Sequence, residues 1–464
     1  MLAVAEILGK VSTLVFLVAA ARELGEGDFG AFAYALSFST LVATLPSWGF
    51  DTLVIRGASA DAAAAPRLLS ESIAMRVLIA TPVFLVAGFA GAILRPSRES
   101  AVAFVLVLAA TLIDVFCDAG RSVATARQRP TGISVALVAQ RLLTAVLAVL
   151  ALVAGWGLVG LAAAYLAATV AGAFLTLVAV ARIGIRPSIS LVTRRGLRVF
   201  FGRSLAIGVN SVIAMALFRV DAVVLQAIKG DDAVGVYAAA YRIIETVMFL
   251  SWSISRAVFP AMSAAPEPWR VARGVEKGFA ALATLYVPFG TGLALLAQPL
   301  LELLYGEPYA SRGAGAARWL APVPVLFALG YLCIYGLNAR GREWKAAWGT
   351  GIAAAVNLVA NLLLIPEYGG TAAGFTSSLA FLVQAALLLA FLSSDVGWVA
   401  VHRALAVPVA ASAVMAGVVL ALPVPVLVDI AAGGATYAVA WLLLARRFAP
   451  DQLAVMRSLA PGRS

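Results

Sequence analysis

Long apolar runs, most of them about 20 residues in length, dominate this chain and are separated by short polar stretches. A helix needs about 20 apolar residues to cross roughly 30 Å of hydrocarbon. The runs lack the alternation of barrel strands, and only 12% of the 464 residues are charged. We therefore predict an all-α polytopic membrane protein with about fourteen transmembrane helices. The predicted spans are 4–21, 30–50, 73–94, 101–117, 133–154, 157–181, 204–228, 234–260, 279–304, 317–337, 346–365, 371–392, 402–421 and 424–445.

The basic residues between the spans indicate an orientation. If the N-terminus is cytoplasmic, 23 of the 34 Lys and Arg residues fall on the cytoplasmic side and 6 on the opposite side. Cytoplasmic loops carry this excess, so we expect both termini in the cytoplasm and a multi-pass protein of a bacterial inner (cytoplasmic) membrane. The same pattern accounts for the net charge of +11 without a nucleic-acid partner. Cys117 and Cys333 lack ligand spacing and are expected to pack rather than pair.

A repeated turn divides the chain. The stretches GEGDFGAFAYA (25–35) and GDDAVGVYAAA (230–240) lie 205 positions apart and bring the first two spans onto the seventh and eighth. An even number of spans between them predicts parallel repeats. The predicted domains are an N-terminal lobe (1–185), a basic cytoplasmic linker (186–203), a C-terminal lobe (204–394), and two further helices with a basic tail (395–464).

The linker RPSISLVTRRGLRVFFGRS has an amphipathic pattern, with Leu197, Phe200 and Phe201 on the side opposite its arginines. We predict a helix lying in the membrane interface. A plain linker is the favoured interpretation, and a role in gathering an anionic lipid head group stays open.

Charges inside the spans are expensive and usually face the bundle interior, where they find partners. Arg219 and Asp221 are two residues apart and point to different helix faces, whereas Arg242 and Glu245 are three apart on one face, a spacing that permits an ion pair. Asn357 and Asn361 share a helix face and are expected to pack across helices rather than bind sugar. Nine charged residues within the predicted spans are the candidates: Lys10, Arg141, Arg219, Arg242, Arg256, Asp114, Asp221, Glu245 and Glu302.

Two longer stretches carry a family resemblance. ILGKVSTLVFLVAAARELGEGDFGAFAYALSF near the N-terminus and FRVDAVVLQAIKGDDAVGVYAAAYRIIETVMFLSWSISRAVFPAMS at the centre resemble polysaccharide repeat-unit flippases of the O-antigen-flippase type. These belong to the multidrug/oligosaccharidyl-lipid/polysaccharide (MOP) exporter superfamily. The resemblance covers most of residues 5–395. It implies two six-helix lobes in a V, as in MATE transporters, with two additional C-terminal helices.

The resemblance also implies a function. Such proteins move polyprenyl-(pyro)phosphate-linked oligosaccharide across the membrane by alternating access, for lipopolysaccharide and other cell-surface polysaccharides. The expected partners are that lipid-linked substrate, membrane lipids, and the polymerase and glycosyltransferases of the same pathway. No cofactor is expected, and coupling to H+ or Na+ stays open.

Arginine suits a pyrophosphate head group because it stays charged and offers a planar fork to phosphate oxygens. A cavity between helices 1, 2, 7 and 8 is implied by the resemblance, and basic residues would line it. The alternative, in which each cation only pairs with an acid or reaches the interface, stays open. The predicted substrate-binding cations are Arg219, Arg242, Arg256 and Lys10, with Arg22 and Arg56 towards the two mouths, and the predicted coupling or partner acids are Asp221 and Glu245.

Three alternatives were weighed. A peptidoglycan-precursor (lipid II) flippase shares the superfamily and a polyprenyl pyrophosphate substrate. A MATE-type multidrug/cation antiporter would use buried carboxylates; the candidate charges here are cationic by a narrow margin, which favours an anionic substrate, and Asp221 and Glu245 keep this alternative open. An enzyme on lipid-linked sugars is disfavoured, because the chain has no GxxxxGK[ST] loop and its longest predicted outer loop, Tyr305 to Trp319, is about fifteen residues. We therefore predict no catalytic residues and no metal site.

Overall fold

The computed structural model describes residues 2–95, 97–128, 131–264, 267–422 and 424–459. Within these ranges the regular structure is helical throughout, as predicted. Two short 3-10 turns lie at Ala62–Ala64 and Ile189–Leu191. The α-helices are α1 Leu2–Ser47, α2 Phe50–Ala60, α3 Ala65–Leu94, α4 Arg98–Ala126, α5 Thr131–Val153, α6 Gly157–Ala181, α7 Arg194–Ala264, α8 Pro268–Tyr305, α9 Glu307–Leu320, α10 Val323–Ala339, α11 Glu343–Val396, α12 Val401–Ala421, α13 Val426–Phe448 and α14 Pro450–Leu459.

Eleven of the described helical segments are long and apolar enough to cross a membrane. Three of them contain a glycine in the left-handed region: Gly25 (φ 73°) in α1, Gly230 (φ 80°) in α7 and Gly369 (φ 56°) in α11. Each of these segments is therefore two helices joined at a sharp break, and counting the halves separately gives fourteen crossings. The chain is a multi-pass membrane protein, and the predicted number of crossings is confirmed.

The breaks explain why the repeated turn begins with glycine. At Gly25 and Gly230, ψ is −178° and −173°, and only glycine tolerates positive φ with an extended ψ at low cost. A second glycine follows each break by five residues, at Gly30 and Gly235. Gly369 and Gly374 have the same spacing. The helix α11 therefore contains a third instance of this glycine pattern, in addition to the two repeated turns found in the sequence.

Two connections differ from the prediction. The expected outer loop from Tyr305 to Trp319 is mostly the helix α9, which begins after Gly306 (φ 97°) with a proline in its first turn. The basic linker does not form a separate helix in the interface, because α7 begins at Arg194 and continues without a break to Gly230. Its apolar face packs on protein, with Phe200 against Phe50 and Phe201 stacked on Trp48.

The chain divides into two compact units, Met1–Ala238 and Ala239–Ser464. One apolar core in the first unit is built from α2, α3, α4 and the start of α7, around Phe50, Leu69 and Phe200. In the second unit α8, α10 and α11 form a core around Phe279 and Leu388. The unit boundary falls within α7, just after the Gly230 break, so the lobe limits given above stay a prediction.

Asparagines in the second unit have a packing role, as predicted. Asn361 donates to the side-chain oxygen of Asn357 (2.9 Å) and accepts from Thr376 (2.5 Å). All three side chains are fully buried. The contact joins the two halves of α11 across the Gly369 break, because Thr376 follows the break and both asparagines precede it.

Candidate functional site

The two repeated turns meet each other in the first unit. A Cβ at Gly30 would overlap the backbone carbonyl of Asp231, and a Cβ at Gly235 would overlap the carbonyl of Glu26. In each case the glycine lies five residues after its own break, and the carbonyl it meets lies one residue after the other break. The contact is therefore reciprocal. We call residues 25–30 and 230–235 the hairpin crossing.

A buried arginine holds one side of the hairpin crossing. Arg95, just after the C-terminal end of α3, forms an ion pair with Asp231, and its side chain is only 3% exposed. The ring of Tyr34 lies 4.8 Å from the Arg95 guanidinium carbon, within the range of a cation–π contact. Arg95 falls in a connection between two predicted spans, and the sequence predicts no role for it. Its burial had no local sequence signal, because Asp231 is 136 residues away.

Asp221 has a partner across the Gly230 break. The Tyr237 hydroxyl donates to the Asp221 carboxylate at 3.0 Å, and Asp221 is only 1% exposed. Asp221 precedes Gly230 by nine residues and Tyr237 follows it by seven. Two helices joined by a tight break place residues at similar distances from the break beside each other, so the spacing of Asp221 and Tyr237 around Gly230 could have predicted this contact. Arg219, on the same helix, is half-buried.

The second unit contains the predicted pair of α7. Arg242 and Glu245 are joined by a 2.6 Å ion pair, with side chains 21% and 19% exposed. The ion pair that the spacing permits is therefore formed. Their three-residue spacing brings them together on one face of the helix.

The other predicted site residues are dispersed. Arg22 and Arg56 are exposed. Glu302, predicted within a span, is also exposed, and Arg141 is half-buried. The side chains of Lys10 and Arg256 lie outside the described part of the structure. Their expected contact with substrate, like that of the other cations, stays a prediction.

Sequence reasoning missed a network of buried charges in the first unit. Arg76 is fully buried and donates to Asp51 (2.6 Å) and to the Val115 carbonyl (2.5 Å). Arg76 lies inside α3, near the start of the predicted span 73–94. A buried guanidinium is tolerated only with such partners, and Ser122 also donates to Asp51, at 2.5 Å.

The network continues along α4. Arg121 falls between the predicted spans 101–117 and 133–154 but lies inside α4, where it pairs with Asp118 (2.9 Å) and Asp114 (3.0 Å). Gln140 of α5 donates to the same Asp114 carboxylate and to Thr169 of α6. These polar contacts bind α4 to its neighbours, and the available sequence signal was the pair Asp114 and Asp118, four residues apart in a largely apolar helix.

Together these features define a class: a multi-pass membrane protein with glycine-broken helix pairs and buried charges, in the fold of the MOP exporters. The structure is similar to "Lipid II flippase MurJ, inward closed conformation", with a TM-score of 0.82 and 12% identity over 96% of this chain and 98% of that one. It is also similar to an inward-facing multidrug resistance MATE family transporter, with a TM-score of 0.70 and 15% identity over 85% and 96% of the two chains. At these identities the likeness shows the fold.

Sequence comparisons identify the family. Residues 1–265 match the polysaccharide biosynthesis protein family, and since they are more than half of the chain, the protein belongs to it. Two relatives from Haloferax volcanii are "Probable low-salt glycan biosynthesis flippase Agl15", 23% identical over 40% of each chain, and "Probable flippase AglR", 24% identical over 50% of this chain and 52% of that one. The matches span about half or less of these archaeal relatives. The resemblance found in the sequence is confirmed.

Proposed function

We propose that the protein is a flippase that moves polyprenyl-(pyro)phosphate-linked oligosaccharide across its membrane by alternating access. The observation that carries the proposal is the hairpin crossing, in which the turns of two related helix pairs meet through glycines and backbone carbonyls within the first unit. The name of the relative Agl15, a probable low-salt glycan biosynthesis flippase, supports the class of substrate, and AglR is likewise named as a probable flippase.

The hairpin crossing is suited to act as a gate. Its closest contacts are between glycines and backbone carbonyl oxygens, so the two turns approach each other through main-chain atoms. The Arg95–Asp231 pair then favours the closed arrangement, and the two charges regain water when the hairpins part.

The cations inside the spans would bind the pyrophosphate. We assign Arg219, Arg242, Arg256 and Lys10 to the transport path, and Arg22 and Arg56 to its mouths. Glu245 engages one terminal nitrogen of Arg242. A guanidinium carries five N–H donors, so the pair retains capacity for phosphate oxygens. Asp221 and Glu245 are proposed as partner acids or as sites for a coupling H+ or Na+.

The remaining expectations belong to the same proposal. The protein would lie in the cytoplasmic membrane with both termini in the cytoplasm, as the charge asymmetry favours. It would work with polymerase and glycosyltransferases of one glycan pathway. It would bind no nucleic acid and catalyse no covalent step.

Transport by the purified protein tests the proposal. The protein is reconstituted into vesicles with a fluorescent polyprenyl-pyrophosphate oligosaccharide, and label reaching the opposite leaflet is measured with a membrane-impermeant quencher. Parallel vesicles contain lipid II or a cationic dye with a proton gradient. Movement of lipid II alone would favour the peptidoglycan-precursor alternative. Exchange of dye for protons without lipid movement would favour the antiporter and overturn the proposal.

Substitutions test the assigned cations. Arg219→Ala and Arg242→Ala should each lower transport about ten-fold or more, since a charge-assisted contact is worth about 1.5–3 kcal/mol, while expression stays normal. The matched control is Arg270→Ala, because Arg270 also pairs with an acid three residues away but is half exposed. It should transport normally. Unchanged transport in both test variants would return Arg219 and Arg242 to a packing role.

A further inference from the structure

The segment between α6 and the buried part of α7 presents a dense positive surface in the first unit. Six exposed arginines form it, and we call them the basic collar. They are Arg182, Arg186, Arg194, Arg195, Arg198 and Arg203. The sequence contains no Asp or Glu between Asp118 and Asp221, so no acid along this stretch offsets their charge.

Buried and exposed arginines of this unit behave differently. Arg76, Arg95 and Arg121 each form an ion pair with an aspartate. Within the described part of the chain, no ion pair involves any member of the basic collar. The charges of the basic collar are therefore directed outward, towards a partner that the chain itself does not supply.

The basic collar is firmly attached to the unit. Ser188 donates its backbone N–H to Ser70 of α3 (2.9 Å), and the backbone at Gly196 lies close to the Glu71 carboxylate. Phe200 and Phe201 pack on Phe50 and Trp48. Because the apolar face of this segment packs against other residues of the unit, the opposite face with the arginines is held in a fixed position.

Apolar side chains are interspersed with the outward arginines. Ile189 is 91% exposed and Val199 is 53% exposed. A purely aqueous surface gains nothing from such side chains, whereas a surface at the boundary between acyl chains and head groups combines apolar residues with basic ones.

The length of α7 places the basic collar at that boundary. From Arg194 to the Gly230 break the helix is about 54 Å long at 1.5 Å per residue, and hydrocarbon is only about 30 Å thick. The excess length carries the arginine-rich turns past the acyl chains, to the level of the head groups and the adjoining water.

We propose that the basic collar is a docking surface for the anionic phospholipid head groups of the leaflet beside it. Charge complementarity carries the choice of occupant: an unpaired cluster of arginines with exposed apolar side chains fits a negatively charged bilayer surface, and basic residues near anionic lipids are attracted to them. This inference concerns bilayer lipid, and it is independent of the transported substrate.

The lipid composition around the purified protein tests the inference. The protein is reconstituted into vesicles of equal parts phosphatidylcholine and phosphatidylglycerol, then extracted in nanodiscs that retain the adjacent lipids. Mass spectrometry gives the ratio of the two lipids. We expect the ratio of phosphatidylglycerol to phosphatidylcholine around the wild-type protein to exceed the bulk ratio about two-fold. About 1 M salt, which shortens the Debye length to about 3 Å, should reduce that excess.

Matched variants separate charge from shape. The triple variant Arg194→Gln, Arg198→Gln, Arg203→Gln should bring the lipid ratio close to bulk, whereas Lys at the same three positions should keep the enrichment. Bulk composition around the wild-type protein would overturn the inference and leave an acidic protein as the occupant. Wild-type enrichment in the Gln variant, or its loss in the Lys variant, would also overturn it. The salt series on the wild-type protein needs no variant, and insensitivity to salt would contradict the inference even if the Gln variant failed to fold.

Discussion

The two hairpins at the crossing have the same backbone conformation but different side-chain contacts. Both break at a glycine with φ near +75° and place a second glycine against the other hairpin. Yet only the second supplies the ion pair with Arg95, through Asp231. Where the second hairpin has Asp232, the first has Gly27, and the two positions face each other. The repeat retains the glycines that the backbone requires, whereas each hairpin's charges fit its own neighbours.

The largest loss of stability is expected from breaking the Arg95–Asp231 ion pair, which only the second hairpin forms. Arg95→Gln leaves the Asp231 carboxylate without its guanidinium, and breaking a buried pair costs about 3–5 kcal/mol. We expect the variant in detergent to have a lower thermal unfolding midpoint, which is measured by tryptophan fluorescence. Exposed Arg98 is the control, and Arg98→Gln should have almost no effect. If Arg95→Gln matches that control, the pair does not hold the crossing.

Reciprocal contact predicts equal effects at the two crossing glycines. Gly30→Ala and Gly235→Ala each push a methyl group into an opposing carbonyl, and overpacking costs about 1–3 kcal/mol. Transport and thermal stability should both fall, by similar amounts in the two variants. Gly202→Ala, a helical position with open space around it, should be neutral or stabilising. A strong effect at only one glycine would contradict the symmetry of the crossing.

The break glycines should respond through backbone strain alone. Neither Gly25 nor Gly230 has an atom within 4 Å of an added Cβ, so alanine meets no obstacle there, only a positive φ. The cost of such a conformation is about 1–3 kcal/mol, expressed as a lower unfolding midpoint for Gly25→Ala and Gly230→Ala alike. Helical Gly292→Ala, also in open space, is the comparison and should not lower it.

The smallest effect is expected at the aromatic ring beneath Arg95. Tyr34→Leu removes the cation–π contact, worth about 0.5–2 kcal/mol, while Tyr34→Phe keeps it. We expect a modest fall in the unfolding midpoint for Leu and none for Phe. Combining Tyr34→Leu with Arg95→Gln should be less than additive, because both changes remove the same contact. Full additivity in this cycle would show that the ring and the guanidinium act separately.

Much of the fold followed from the sequence because spans and breaks are local. Apolar length set the crossings, and glycine spacing identified the helix pairs at Gly25 and Gly230. The Arg242–Glu245 pair was predictable for the same reason, since three residues on a helix share a face. Loop assignments failed where composition was ambiguous: the segment after Gly306 is rich in alanine and forms a helix instead of the expected loop.

By itself, the sequence determined that this is a helical membrane protein with a doubled hairpin, because hydrocarbon thickness and glycine backbone freedom act residue by residue. Only the tertiary structure decided which charges are buried and whom they meet. Arg76 and Arg95 looked like ordinary charges near span ends, and both proved to be paired inside the first unit. Their partners lie 25 and 136 residues away, and an ion pair over such separations depends on how helices pack, which no local pattern encodes.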